Sequence, residues 1–232
     1  VLGEYPSQAE NQLIDYSWVE AARKRYDEYV KNYGERPPQG IRPIMGLDVS
    51  ELGVDSNVAC FRYGGFIAPL VAWKGVDPDH TAMRALEMYR ERNCYMAMVD
   101  GTGVGSSVAP AMSRMGRNDP DPAVCVSVKI AGKPSKHITS EMGEFKSLYD
   151  QLWWALREWI RADPNAMLPN DRMLLQELRI PMYQVKPTDG KIWVTRKDEM
   201  RDALRRSPDR ADALCLTFLP RNRATVMRLV GN

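Results

Sequence analysis

Three points in this chain place an acid where an acid is costly. Asp48 closes the apolar run Ile44-Met45-Gly46-Leu47, Asp100 closes Met96-Ala97-Met98-Val99, and Asp209 follows Ser207-Pro208 ahead of another apolar stretch. Asp212 lies one helical turn after Asp209, among Ala211, Ala213 and Leu214. A carboxylate at the end of an apolar strand loses hydration unless it is exposed, paired or bound to a cation, and strand ends are where α/β sheets place their ligands. Asp209 also has a plainer reading as a helix-start residue, since the macrodipole favours an acid in the first turn. Carboxylates that meet repel one another, and hard divalent cations offset that repulsion; Mg²⁺ takes carboxylate and water oxygens. Two such ions roughly 4 Å apart activate water on one side of a phosphodiester and stabilise the leaving oxygen on the other. Each acid alone reads as a cap or turn residue. Together they point to a divalent-metal site for phosphodiester chemistry.

Competing chemistries find less support. Gly101-Thr102-Gly103-Val104-Gly105 lies between a strand and a helix, where glycines can cradle phosphate, but the spacing is not GxGxxG and no GxxxxGK[ST] occurs. The glycines read instead as a tight turn that leaves Asp100 exposed. The cysteines, Cys60, Cys94, Cys125 and Cys215, contain no CxxC pair, and the histidines are His80 and His137, so a zinc site is poorly supported. All four cysteines lie in or beside apolar runs and read as small buried hydrophobes in a reducing compartment.

The elements that must position the acids follow from periodicity. Ile44 to Val49 reads as a strand and Glu51 to Ser56 as a turn, with Asp55 a turn residue. Asn57 to Tyr63 and Phe66 to Trp73 read as two antiparallel strands joined at Gly64-Gly65. A helix is expected from about Pro78 to Arg92. Tyr95 to Asp100, a helix over about Ser106 to Met115, and Ala123 to Val128 then form a strand-helix-strand unit, which implies parallel pairing. Thr139 or Ser140 is expected to cap the longest helix, running to about Ile160, with Phe145, Leu148, Leu152, Leu156 and Ile160 on its core face. Trp153, Trp154 and Trp159 could stack on bases, but their helical spacing favours packing. A short helix follows Asp171. Met182 to Val185 and Ile192 to Val194 read as a hairpin turning at Asp189-Gly190, Lys197 to Arg206 as a charged helix, and Pro208 to Leu219 as a final helix entered at Asp209. Strands first, then alternating helices and strands, define a mixed α/β sheet flanked by helices.

The chain has 232 residues, enough for one large domain with a good core or for two small ones. Residues 1–40, with a helix over Tyr16 to Tyr33 and the breaker Arg36-Pro37-Pro38-Gln39-Gly40, are expected to form a linker and helix leaning on the domain of residues 41–220, and residues 221–232 a basic tail. No apolar run reaches membrane-spanning length, and Val1 to Pro6 lacks the pattern of a signal peptide. The absence of an initiating Met is expected of a fragment. Net charge is only +2, but Lys186 to Asn232 holds eleven Lys/Arg against six Asp/Glu. A polyanion could be drawn there, although charge alone favours a solvated surface.

Several of these stretches together resemble the C-terminal nuclease domain of the large terminase subunit of tailed bacteriophages: Gly46-Leu47-Asp48-Val49-Ser50, Gly53-Val54-Asp55, Val99-Asp100-Gly101-Thr102-Gly103-Val104-Gly105, and above all Ser207-Pro208-Asp209-Arg210-Ala211-Asp212-Ala213-Leu214. Leu152 to Glu158 and Gly190 to Val194 are similar to it as well, and Val1 to Pro6 resembles the end of that protein's ATPase domain. The resemblance implies an RNase H-like fold and an endonuclease that cuts concatemeric viral double-stranded DNA during packaging, using two Mg²⁺ or Mn²⁺ ions. It implies that Asp48, Asp100 and Asp209 are metal-binding catalytic acids, with Asp212 as a further ligand or a structural acid; the choice of Asp209 or Asp212 as principal third ligand stays open. The partners implied are DNA, the ATPase domain of the same full-length protein, the small terminase subunit and the portal protein, in the cytoplasm of an infected bacterium and transiently at the procapsid portal. Lys191, Arg196 and Lys197, on or beside the expected hairpin, are expected to contact DNA phosphates largely without regard to sequence. A module that grips DNA or docks on the portal without cutting, and an RNase H-like nuclease for junctions or hybrids, are the alternatives.

Overall fold

A computed structural model describes residues 11–50, 56–75, 77–136 and 139–219. The expected turn with Asp55, His137, the opening hexapeptide and the basic tail lie outside the described residues.

A six-stranded mixed sheet carries the fold. Its centre is β1 (Ile44–Asp48), which pairs antiparallel with β2 (Asn57–Tyr63), Gly46 opposite Cys60. The short strands β3 (Phe66–Ile67) and β4 (Val71–Trp73) both pair with β2. The sequence suggested one strand over this span; it is interrupted around Pro69, which has no N–H to give to a ladder. On the other side of β1, β5 (Met96–Asp100) and then β6 (Cys125–Val128) run parallel to it. The helices that return the chain between them are α2 (Pro78–Glu91), N-capped by Asp77, and α3 (Val108–Met115), entered through a 3-10 turn over Gly103–Ser107.

Strand periodicity sorts the side chains onto two faces. Met45, Leu47, Ala59, Phe61, Ala97 and Val99 pack with α2 and α3 on one face. Ile44, Val58, Cys60, Met96 and Met98 pack on the other, against α4 (Leu148–Ala162) and α7 (Asp209–Leu216). Gly46, and by the same alternation Asp48 and Asp100, belong to this second face. The first helix, α1 (Tyr16–Tyr33), is N-capped by Asp15 and ends at Gly34 with φ 74°. It buries Val19, Ala22 and Tyr26 against the domain, Tyr26 stacking on Phe66 with ring centroids 5.2 Å apart.

The sequence placed the start of the long helix too early. Residues 140–147 are not helical, because their backbone pairs elsewhere: Ile192 N–H donates to Glu144 O at 2.7 Å and Lys146 N–H to Ile192 O at 3.1 Å. Helix α4 starts after Ser147 and has 15 residues against 18 in α1. Trp153 and Trp154, 0% and 3% exposed, lie in the core and have no face for a base. After α5 (Arg172–Glu177) come the hairpin β7 (Tyr183–Val185) and β8 (Ile192–Val194), then α6 (Lys197–Leu204). Its turn carries Gly190 at φ 65°, a conformation that suits glycine.

Candidate metal centre

Strand register brings the first two acids together. Leu47 sits opposite Val99 in the parallel pair, so Asp48 and Asp100 leave adjacent strands at the same edge of the sheet. The third and fourth acids arrive from α7, which lies unusually close to β1. A Cβ on Gly46 would stand 1.9 Å from Ala213 O, so only glycine two residues before Asp48 lets the helix settle there. Gly105 has a matching role beside Asp100, where a Cβ would meet Asp100 O at 2.2 Å.

Asp48, Asp100, Asp209 and Asp212 are 2%, 8%, 8% and 7% exposed. Asp48, Asp100 and Asp212 line one small cleft of about 10 Å³ with Tyr149, Trp153 and Cys215. Asp209 stands beside it and accepts the N–H of Ser56 at 3.3 Å. Asp100 accepts the N–H of Thr102 at 3.0 Å, which fixes its carboxylate against the turn that follows β5.

Lys197, the first residue of α6, reaches into this group. Its Nζ lies 2.7 Å from Asp212 Oδ2 and 3.6 Å from Asp48 Oδ1. The sequence placed Lys197 with Lys191 and Arg196 as a phosphate contact; the structure brings its ammonium to the acids. Its position offered one signal in the chain: a cation opens α6, after Arg196 at the N-cap, where the helix dipole disfavours positive charge. Burial alone would lower the Lys197 pKa, but the carboxylates of Asp212 and Asp48, then Asp209, outweigh it and hold the ammonium above its ordinary value. Burial pushes the Asp48 carboxyl well above the usual carboxylate range; Lys197 pulls it back, while Asp212, Asp209 and Asp100 push it up again. Asp212 is raised by burial, lowered by Lys197, and raised by Asp209 and Asp100.

Among the described residues, no group of three His, Cys, Asp or Glu side chains is set up to hold one metal ion. The donor set nonetheless has the chemistry of a hard-cation site: four carboxylates, nearly buried, whose charges disfavour one another, with an ammonium held between two of them. That ammonium stands in for the positive charge the group needs.

Two buried acids that the sequence reading missed hold the surroundings in place. Asp150, fully buried in α4, accepts Val194 N–H at 2.7 Å and pairs with Arg196 at 2.8 Å, fixing the end of the hairpin. Glu177, also fully buried, accepts the N–H of Ala211 at 2.7 Å and pairs with Arg206, so α5 caps the start of α7. Each falls in an apolar stripe, Leu148 and Leu152 around Asp150 and Leu174, Leu175 and Leu178 around Glu177, and that misfit was the available signal. Lys191 stays at the hairpin turn, its N–H donating to Asp189 at 3.1 Å. The cysteines are buried, and burial pushes Cys60, Cys94 and Cys125 up to about 12, as expected of inert thiols.

The mixed six-stranded sheet flanked by helices has the RNase H-like fold of terminase nuclease domains. Among solved structures, the chain is similar to the nuclease domain of the large terminase subunit gp2 of bacterial virus Sf6, with a TM-score of 0.72 and 20% identity over 91% of this chain and 100% of that one. It is also similar to the large terminase nuclease from thermophilic phage G20c with bound magnesium, with a TM-score of 0.60 and 17% identity over 91% of this chain and 98% of that one. A point mutant of the Sf6 domain has likewise been solved with manganese, at a TM-score of 0.70 and 20% identity over 90% of this chain and 100% of that one. No family model and no curated protein matches the chain.

Proposed function

We propose that this chain is the nuclease domain of a phage DNA-packaging terminase, a metal-dependent endonuclease that cuts concatemeric double-stranded DNA. The observation that carries this reading is the meeting of Asp48 and Asp100, from adjacent parallel strand ends, with Asp212 around one cleft, a cation already held between two of them. The likeness to terminase nucleases that bind manganese and magnesium supports it.

Asp48, Asp100 and Asp209, with Asp212, would hold two Mg²⁺ or Mn²⁺ ions. Such ions, when bound, lower the pKa of coordinated water and offset charge on phosphoryl oxygens. The rest falls to the chain itself. Asp212 faces the Asp48–Asp100 cleft and Asp209 stands at its side, which favours Asp212 as the principal third acid and Asp209 as the outer one. The Thr102 N–H orients Asp100, and Glu177 and Gly46 set the position of α7. For Asp48 and Asp212 to serve another cation, Lys197 must release them; its freed ammonium is then available to a phosphate oxygen. The partners of such a domain are its own ATPase domain, the small terminase subunit and the portal, in the cytoplasm of the infected cell; among the described residues no helix is long and apolar enough to cross a membrane.

Plasmid cleavage with Mg²⁺ or Mn²⁺ tests the reading. Asp48→Asn is expected to lower the rate on the order of 10³-fold, ~4 kcal/mol of transition-state stabilisation, with an unchanged circular dichroism spectrum. Cutting that persists in Asp48→Asn overturns the assignment. Wild-type protein that binds DNA with metal present yet never cuts favours the gripping module.

A further inference from the structure

Of the expected DNA contacts, Lys197 turns its ammonium to Asp48 and Asp212, while Arg196 belongs to a larger basic group. Trp193, half-buried on β8, has Lys146 Nζ 5.0 Å, Lys186 Nζ 5.4 Å and the Arg196 guanidinium carbon 5.0 Å from its ring centroid. Three cations around one indole are no more than about 10 Å apart, on the order of one Debye length at 0.1 M salt. The ring's negative face attracts each of them but does not neutralise them. Arg196 has the buried Asp150 as counterion, whereas Lys146 and Lys186 form no ion pair with any described residue. Positive charge is thus gathered and left uncompensated.

Lys146, Trp193 and Arg196 line a groove of about 380 Å³ together with Tyr149, Lys197 and the exposed Asp198, its acidic member, and Lys186 adjoins it at the Trp193 ring. Tyr149 and Ile130 line both this groove and the acidic cleft. Lys197 lies on its wall while its ammonium reaches Asp48. The groove therefore leads to the acids.

We propose that Lys146, Lys186 and Arg196 form a phosphate cradle that delivers a DNA strand to the acidic cleft, with Trp193 as the positioning residue that holds the three cations together. This rests on the nuclease reading and specifies where its substrate lies. Phosphate contacts of this kind are sequence-independent and strongly salt-dependent.

Binding of a labelled DNA duplex to the full chain, followed by fluorescence anisotropy in EDTA over a salt series, tests the cradle without requiring cleavage. The double variant Lys146→Ala/Lys186→Ala is expected to bind on the order of tenfold more weakly at low salt, with a log–log salt slope lower by about 1.8, about 0.9 for each phosphate lost. Lys24→Ala/Lys31→Ala, an equal loss of charge on α1, is expected to keep the wild-type slope. Trp193→Leu keeps every charge and is expected to weaken binding, and Trp193→Phe, which keeps an aromatic face, to restore it. An unchanged slope in the Lys146/Lys186 double variant, wild-type affinity in Trp193→Leu, or no binding by the wild type would each overturn the cradle. If the wild type cuts DNA while the double variant binds normally, the cradle fails and the nuclease stands. If the double variant loses binding but the wild type never cuts, the nuclease fails and the cradle stands.

Discussion

The acidic cleft and the basic groove lie side by side and are built in opposite ways. The acids are 2% to 8% exposed, and each is fixed by the body of the fold: Asp48 and Asp100 by the register of β1 and β5, Asp209 and Asp212 by a helix pressed against Gly46. The cations around Trp193 are exposed or half-buried and stand on a two-stranded sheet and the segment that pairs with it. The difference suits two tasks. Ligands for a small hard cation must be held rigidly, and the folding of a large sheet supplies that rigidity. Phosphates spaced along a strand need charge close by rather than fixed geometry, and long side chains at the periphery supply it. Lys197 belongs to both regions, lining the groove while its ammonium stands among the acids.

Removing Lys197 should have the largest effect and breaks the comparison most directly. In Lys197→Ala, Asp48 and Asp212 lose the nearest positive charge in a buried site. Without metal, a loss of about 3–5 kcal/mol is expected from the orphaned charges, measured by denaturant unfolding in EDTA. The pH dependence follows from the raised Asp48 and Asp212 pKa values. An acid raised on folding binds protons more readily in the folded chain, so its effect on stability turns unfavourable as pH rises from the ordinary carboxylate range through the folded pKa. The deficit in Lys197→Ala should therefore be greatest at alkaline pH and shrink on adding Mn²⁺. Equal stability of variant and wild type across that range would show that the acids do not depend on the ammonium.

The ability to read these two regions from the chain differs for the same physical reason that they are built differently. Asp48 and Asp100 were legible because each ends an unbroken apolar run, a local signal, and because a strand-helix-strand unit implies the parallel pairing that sets them side by side. The β7–β8 hairpin was legible from Asp189-Gly190. Lys197 was not, since its partners come from β1 and α7 and no local pattern links them. The early start given to α4 has a similar origin: Ser140 and Phe145 fit a helix locally, but the backbone of Glu144 and Lys146 is claimed by Ile192, far along the chain. Asp150 and Glu177 show the limit from the other side. An acid in an apolar stripe signals a buried partner, but only the fold reveals which one.

Glu177 sharpens the contrast at intermediate size, because it ties the rigid side to a titrating group. Burial raises its pKa from 4.5 to about 7, against the opposing pull of Arg206 and the Ala211 N–H, and the charge of Asp212 raises it further. Because the folded value is the higher one, the wild type should lose stability as pH rises between 4.5 and about 7, by about 3 kcal/mol from this group. Glu177→Gln should remove that share of the slope, leaving the part due to Asp48 and Asp212. Unfolding free energies of both proteins across this window measure it, and parallel curves would mean that Glu177 does not titrate there. The same substitution should leave the salt slope of DNA binding unchanged, since Lys146 and Lys186 stand on elements away from α5.

The smallest effect expected tests how rigid the acidic side is. Gly46→Ala adds one methyl group at a place where a Cβ would stand 1.9 Å from Ala213 O and 3.0 Å from Thr217 Cγ2. The carbonyl belongs to helix backbone and cannot turn aside, so α7 must move away from β1, and forced overpacking of this kind costs about 1–3 kcal/mol. The movement would carry Asp212 away from Asp48 without altering any acid. Metal-dependent cleavage should then fall further than the stability loss explains at temperatures where the variant is fully folded, while DNA affinity in EDTA, which depends on the groove, stays at the wild-type value. A variant that cuts normally would show that the acids tolerate displacement, and the contrast between a rigid cleft and an adaptable groove would no longer hold.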